Sequence, residues 1–239
     1  MASRSAWLRL LLGLVIFSAA FGYLEAAVVM YLRGLYTPVR MHFHPAISAD
    51  DLFPLITTEQ LMSLGSAHTL RLKAELGREL ATLIMLSSIA LIAARSFREW
   101  LAGFVFCFGI WDIVFYLSLK LLLNWPASFL TWDILFLLPV PWAGPVIAPL
   151  IVAVSMVCAG ISVLWLEHSG RPVLITWAQW TAIVLGGAIV VVAFMWDFRN
   201  TMSGGMPRPF NWTLFLAGEM LGLLAFGAAL RNRQAKTKK

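Results

Sequence analysis

Five acidic side chains stand in or beside apolar runs, where a charge needs a physical reason. They are Glu25, Glu79, Asp112, Asp133 and Glu219, from only 12 carboxylates in 239 residues. A charge facing lipid costs about 2.5–3.5 kcal/mol on insertion scales, so such groups turn inward and mark sites. A carboxyl held away from bulk water can serve as general acid or base. Asp112 and Tyr116 are four apart, which sets an acid beside a phenol on one helix face. These six residues form the candidate catalytic set.

A second constellation suggests metal chemistry. In Met41-His42-Phe43-His44-Pro45, an extended chain would point His42 and His44 to the same side. Imidazole with carboxylates suits zinc, iron or manganese, and a nearby methionine shifts the preference toward copper. Glu75 and Glu79 share a helix face, and His68 is a further imidazole. The candidate ligand set is therefore His42, His44, Glu75 and Glu79. The cofactor is not fixed by these residues; a divalent metal ion is the one they could hold. Arg78, Arg199 and Arg208 are the candidates to hold an anionic headgroup. Plainer roles stand beside these: acids hydrogen-bonded across helices or paired with Arg33 or Arg78, and loop histidines. The chain has no Gly-rich phosphate loop, His-Glu-x-x-His, Gly-x-Ser-x-Gly or Cys-x-x-Cys-His.

These residues must be positioned by membrane helices. Hydrophobic residues make up 60% and charged residues 13%, against about 45–50% and about 25% in soluble domains. That excludes a disordered chain, a coiled coil and an ordinary soluble enzyme. The expected fold is an all-α polytopic membrane bundle, one domain over residues 1–239. Six spans are expected near 10–32, 75–94, 100–119, 146–166, 173–196 and 212–230. Arg4 and Arg9 before an apolar stretch resemble a signal peptide, but the run continues to Leu32 and reads as an uncleaved first helix. The uncharged core Leu80–Ala94 has 15 residues, about 22 Å of helix. The second span must therefore reach back to about Glu75.

Pro139, Pro141, Pro145 and Pro149 interrupt the apolar stretch after Phe129. Residues 129–142 are expected to form a short half-helix or re-entrant segment, which is tolerated at membrane depth only against protein or a wet cavity. Residues 33–74 are expected to be an outer loop with short helices. Thr57-Thr58-Glu59-Gln60 fits a capping box, Gly65 could end that helix, and another could run from Ser66 into the second span. Lys and Arg bias places both termini, including the basic tail 231–239, in the cytoplasm. On that topology Glu25, Asp112 and Glu219 lie about 10–12 Å below the outer surface. Gly218-x-x-x-Gly222 offers a close helix approach. Trp7, Trp100 and Trp165 on one side, and Trp125, Trp196 and Trp212 on the other, read as interfacial anchors. Cys107 and Cys158 read as buried free thiols and His168 as a solvated turn residue. The net charge of +6 is spread between apolar runs, which argues for topology rather than nucleic acid.

Tyr23-Leu24-Glu25, Arg78-Glu79-Leu80-Ala81-Thr82, Trp111-Asp112-Ile113, Leu130-Thr131-Trp132-Asp133 and Pro139-Val140-Pro141-Trp142 resemble segments of bacterial polytopic inner-membrane proteins of no assigned activity. The resemblance covers most of the first 150 residues. It implies a multi-pass protein of the bacterial inner membrane and brings no reaction, substrate or catalytic residue.

The leading functional expectation is a membrane enzyme acting on a lipid-like substrate, by metal-assisted or acid/base chemistry. A proton- or cation-coupled transporter is the second. A non-catalytic subunit or assembly factor, docking on a membrane-complex partner, is the third. The bilayer itself is the one partner that composition demands.

Overall fold

The computed structural model describes residues 4–48 and 51–237; Lys238 and Lys239 of the basic tail lie outside the described residues. Among these there are six long helices: α1 (Arg4–Phe43), α3 (Ser66–Ala93), α4 (Phe97–Leu123), α5 (Ile147–His168), α6 (Trp177–Met195) and α8 (Trp212–Thr237). Two short helices, α2 (Thr58–Ser63) and α7 (Phe198–Met202), complete the all-α bundle. All six long helices are long and apolar enough to cross a membrane.

The first span is longer than expected. α1 continues past Leu32 to Phe43, 40 residues in all, or about 60 Å of helix against a hydrocarbon core of about 30 Å. Pro38 lies inside it. Its ring crowds the carbonyl of Gly34, four residues back, and it donates no helix hydrogen bond, yet the helix continues through it. The helix stops only before Pro45. Much of the expected outer loop is therefore helix. In the remainder, Thr57 and Gln60 form the expected capping box: Gln60 N–H donates to Thr57 Oγ1 at 3.2 Å and Thr57 N–H to Gln60 Oε1 at 2.9 Å. Gly65, at φ 101°, makes the left-handed turn into α3, which runs unbroken from Ser66.

The proline-rich segment is not a half-helix. It forms an antiparallel hairpin, β1 (Trp132–Phe136) with β2 (Trp142–Pro145). Prolines at 139, 141 and 145 remove helix donors, and extended backbone tolerates them at the connection and the strand end. Asp133 pairs with Gly144 and Ile134 with Ala143, and a bulge falls between Ile134 and Phe136. Val146 N–H donates to Thr131 O and Ile147 N–H to Phe129 O, which fastens the hairpin to the start of α5.

The helices group by small residues. α1 packs on α4, α4 on α3 and α5, and α6 on α8. The α6–α8 pair joins the rest through β2 and a slender α5–α8 contact. A side chain at Gly22 would meet the Trp111 carbonyl at 2.5 Å, so the α1 and α4 backbones touch beside Glu25 and Asp112. At Gly186 the obstacles are Gly218 O at 2.7 Å and Gly222 N at 2.8 Å. The Gly218-x-x-x-Gly222 face is thus the α6–α8 crossing.

Three minor expectations change. Trp125 is buried rather than interfacial. Cys158 is exposed while Cys107 is buried, and both are free thiols. His168 is not merely solvated: its ring stacks on Trp7 with centroids 5.2 Å apart. Gly186→Leu is expected to cost about 1–3 kcal/mol or more, since the obstacle is backbone. Thermal unfolding in detergent would read this as a lowered midpoint. Gly13→Leu, which meets nothing within 4 Å, should leave the midpoint in place.

Candidate functional site

A cavity of about 330 Å³ lies between α1, α3, α4 and β1, closed from the loop side by Leu52, Leu55, Ile56 and Leu61. Helical periodicity supplies its polar lining. On α1, Glu25, Val29, Arg33, Tyr36 and Arg40 recur at three- and four-residue steps. Arg71, Glu75, Arg78 and Glu79 do the same on α3, and Asp112 and Tyr116 on α4; Asp133 comes from β1. Five carboxylates and four guanidiniums therefore line one cavity.

Most of these charges are mutually satisfied. Arg78 bridges Glu25 of α1 and Glu75 of its own helix. Thr82 Oγ1 donates to Glu25 at 3.4 Å. Both oxygens of Glu79 accept from the Leu137 N–H, at 3.0 and 2.9 Å, so Glu79 caps backbone just past the end of β1. Tyr116 donates its hydroxyl proton to Asp133 at 2.8 Å. Arg33 lies 3.9 Å from Asp133 and 3.8 Å from the centre of the Trp125 ring. Burial pushes the Asp133 carboxyl up to about 6, against the opposing pull of Arg33 and the Tyr116 hydroxyl.

Three groups in the cavity differ. Asp112 is only 7% exposed, and among the described residues its carboxyl has no hydrogen bond or ion pair. Arg71 likewise makes no ion pair among the described residues. The Trp111 indole N–H is buried without an acceptor. An acid, a solvent-exposed cation and a buried hydrogen-bond donor without partners thus belong to residues lining the cavity, which is equipment for holding a polar ligand and moving a proton on it.

The expected sites are redistributed. Glu25, Glu79, Asp112, Tyr116 and Asp133 come together. Glu219 does not join them; it lines a second, apolar cavity to which Asp112 also contributes. The expected metal set is not gathered. α1 runs through His42, so His42 and His44 do not share an extended face. His42 is exposed against Phe43, His68 sits edge-on to Tyr36, and Glu75 is engaged by Arg78. Among the described residues no three His, Cys, Asp or Glu side chains are placed to share a metal ion. Arg199 is exposed over Phe198 and Arg208 pairs with Asp197 at 3.7 Å, both away from the cavity. Its cations are Arg33, Arg40, Arg71 and Arg78. Tyr36, Arg40 and Arg71 were legible only as periodic polar positions of helices extended beyond the expected spans.

No protein-family model matches this chain, and neither does any curated protein or solved structure.

Glu79→Leu removes both acceptors of the Leu137 N–H. Amide exchange at Leu137 should accelerate by about tenfold or more, the scale of a hydrogen bond to a charged group; an unchanged rate would refute the tie. A second expectation concerns pH. A folded-state carboxyl at about 6 binds its proton more tightly than in the unfolded chain, so stability grows as pH falls through about 6. The midpoint of the wild type should therefore rise relative to that of Asp133→Asn between about pH 7 and about pH 5. Parallel profiles would contradict this.

Proposed function

We propose that this protein is a membrane-embedded acid/base enzyme acting on a lipid-like substrate whose polar group is anionic. The observation that carries the reading is Asp112: a buried, unpartnered carboxyl in a cavity that also presents an unpaired guanidinium, Arg71. In this reading Arg71 of α3, with Arg33 and Arg40 of α1, offsets the substrate's negative charge. Asp112 exchanges a proton with the reacting group. Arg78, Glu25, Glu75 and Glu79 hold the walls rather than react. The apolar cavity that shares Asp112 gives the site a wall that lipid can reach, which favours a substrate drawn from the bilayer.

A metal plays no part in this reading, because the residues expected to hold one are occupied or apart. Transport is the weaker alternative: among the described residues the way onward from Asp112 toward the Arg98 end is lined mainly by apolar side chains, with Ser155 as a polar exception. The resemblance to bacterial inner-membrane proteins and the bias of Lys and Arg support a plasma-membrane location with cytoplasmic termini.

The test is reconstitution into vesicles made from total lipid of the expression host, followed by mass spectrometry of the lipids. With the wild type one lipid species should decline as a product accumulates. Asp112→Asn should slow that conversion by about 10²–10⁴. Unchanged lipids together with an Asp112-dependent ion flux would replace the enzyme reading with transport.

A further inference from the structure

The apolar cavity has a volume of about 590 Å³ and lies between the α4–α5 and α6–α8 pairs. Phe104, Phe108, Met156 and Val190 are typical of its walls. One end is set by Asp112 and Glu219, and the other by Arg98 near the start of α4 and Trp180 in the first turn of α6. Positions 98 and 112 are separated by about 21 Å along α4. That is longer than half of a hydrocarbon core of about 30 Å. The shape suits one extended chain rather than a compact ring.

The polar groups left without a partner lie at the hairpin end. Glu219 Oε1 and Trp142 Nε1 are buried there without hydrogen-bond partners, and the nine-tenths-buried Asp112 also lacks one. Trp142 packs into the cluster that contains Phe215, one helical turn before Glu219 on α8. The far end offers Arg98, whose guanidinium is already held by Glu167 at 2.7 Å. A head bound between these atoms must donate to a carboxyl and accept from an indole N–H. A phosphate head would meet two carboxyls, and an ammonium head has no lone pair for the indole. A hydroxyl does both.

We propose that this second cavity is a binding site for a single-chain lipid with a neutral hydroxyl head. The head sits among Asp112, Glu219 and Trp142, and the chain runs toward Arg98 and Trp180. This site shares Asp112, Leu135 and Phe136 with the charged cavity and is otherwise lined by different residues. It goes beyond the acid/base reading, and binding alone tests it, so either can fail without the other.

The probe is hexadecanol brominated at its far end, added to the protein in phosphatidylcholine vesicles, with tryptophan fluorescence as the readout. Bromine at that end should quench saturably, and most of the saturable part should vanish in Trp180→Phe. Unlabelled hexadecanol should compete at least about tenfold better than hexadecyl phosphate or hexadecylamine, the scale of losing a hydrogen bond to a charged group. Glu219→Leu should weaken the probe by about tenfold, and Trp142→Phe should weaken unlabelled hexadecanol in the same direction. Non-saturable quenching that persists in Trp180→Phe would overturn the site. Equal competition by all three heads would overturn the assignment of a hydroxyl.

Discussion

Charge withdrawn from water has to be answered by charge or by hydrogen bonds, and this bundle is organised around that demand. Arg78 joins α3 to α1 through Glu25. Glu79 joins α3 to the hairpin through the Leu137 amide. Tyr116 and Arg33 meet at Asp133 and bring α4 and α1 to the same strand. Removing one member would strand its partner, which is far costlier than the net gain of making the pair. The polar network fixes which helices are neighbours, while glycines such as Gly22 fix how near they come.

The same accounting separates structural charge from working charge. Arg78, Glu25, Glu75, Glu79 and Asp133 each have a partner whose loss would be felt by the fold. Asp112, Arg71 and the Trp111 N–H have none among the described residues. Buried carboxylates of both kinds, Glu79 and Asp112, line a single cavity, so burial does not sort them; satisfaction of their hydrogen-bonding capacity does.

Much of this was legible in sequence. Six apolar periods, the Thr57 capping box, the start of α3 at Ser66 and the inward placement of the acids follow from hydropathy and from the cost of charge in lipid. The Gly218-x-x-x-Gly222 contact follows from the need of helices to approach closely. Three things were not legible. The end of α1 was placed at Leu32 because hydropathy falls there, although nothing in the backbone breaks until Pro45; with the helix extended, Arg33, Tyr36 and Arg40 become one face. Prolines in the 129–145 stretch excluded a continuous helix but did not distinguish a half-helix from a hairpin, whose Leu137 amide is held by Glu79, far away in sequence. The histidine pair depended on an extended chain that is helix instead.

The hairpin has a consequence for how the protein is made. Paired extended backbone of this kind cannot rest against lipid, because its open amides would find no acceptor there. Chains emerge from their N-terminus, and α1 and α3 precede the hairpin in that order. Arg33 and Glu79 are therefore already made when Asp133 and Leu137 are synthesised. The polar half of the site can then serve as a docking cradle for the hairpin during vectorial synthesis. Moving the same hairpin ahead of α3 in the chain would leave its backbone waiting for a partner not yet made.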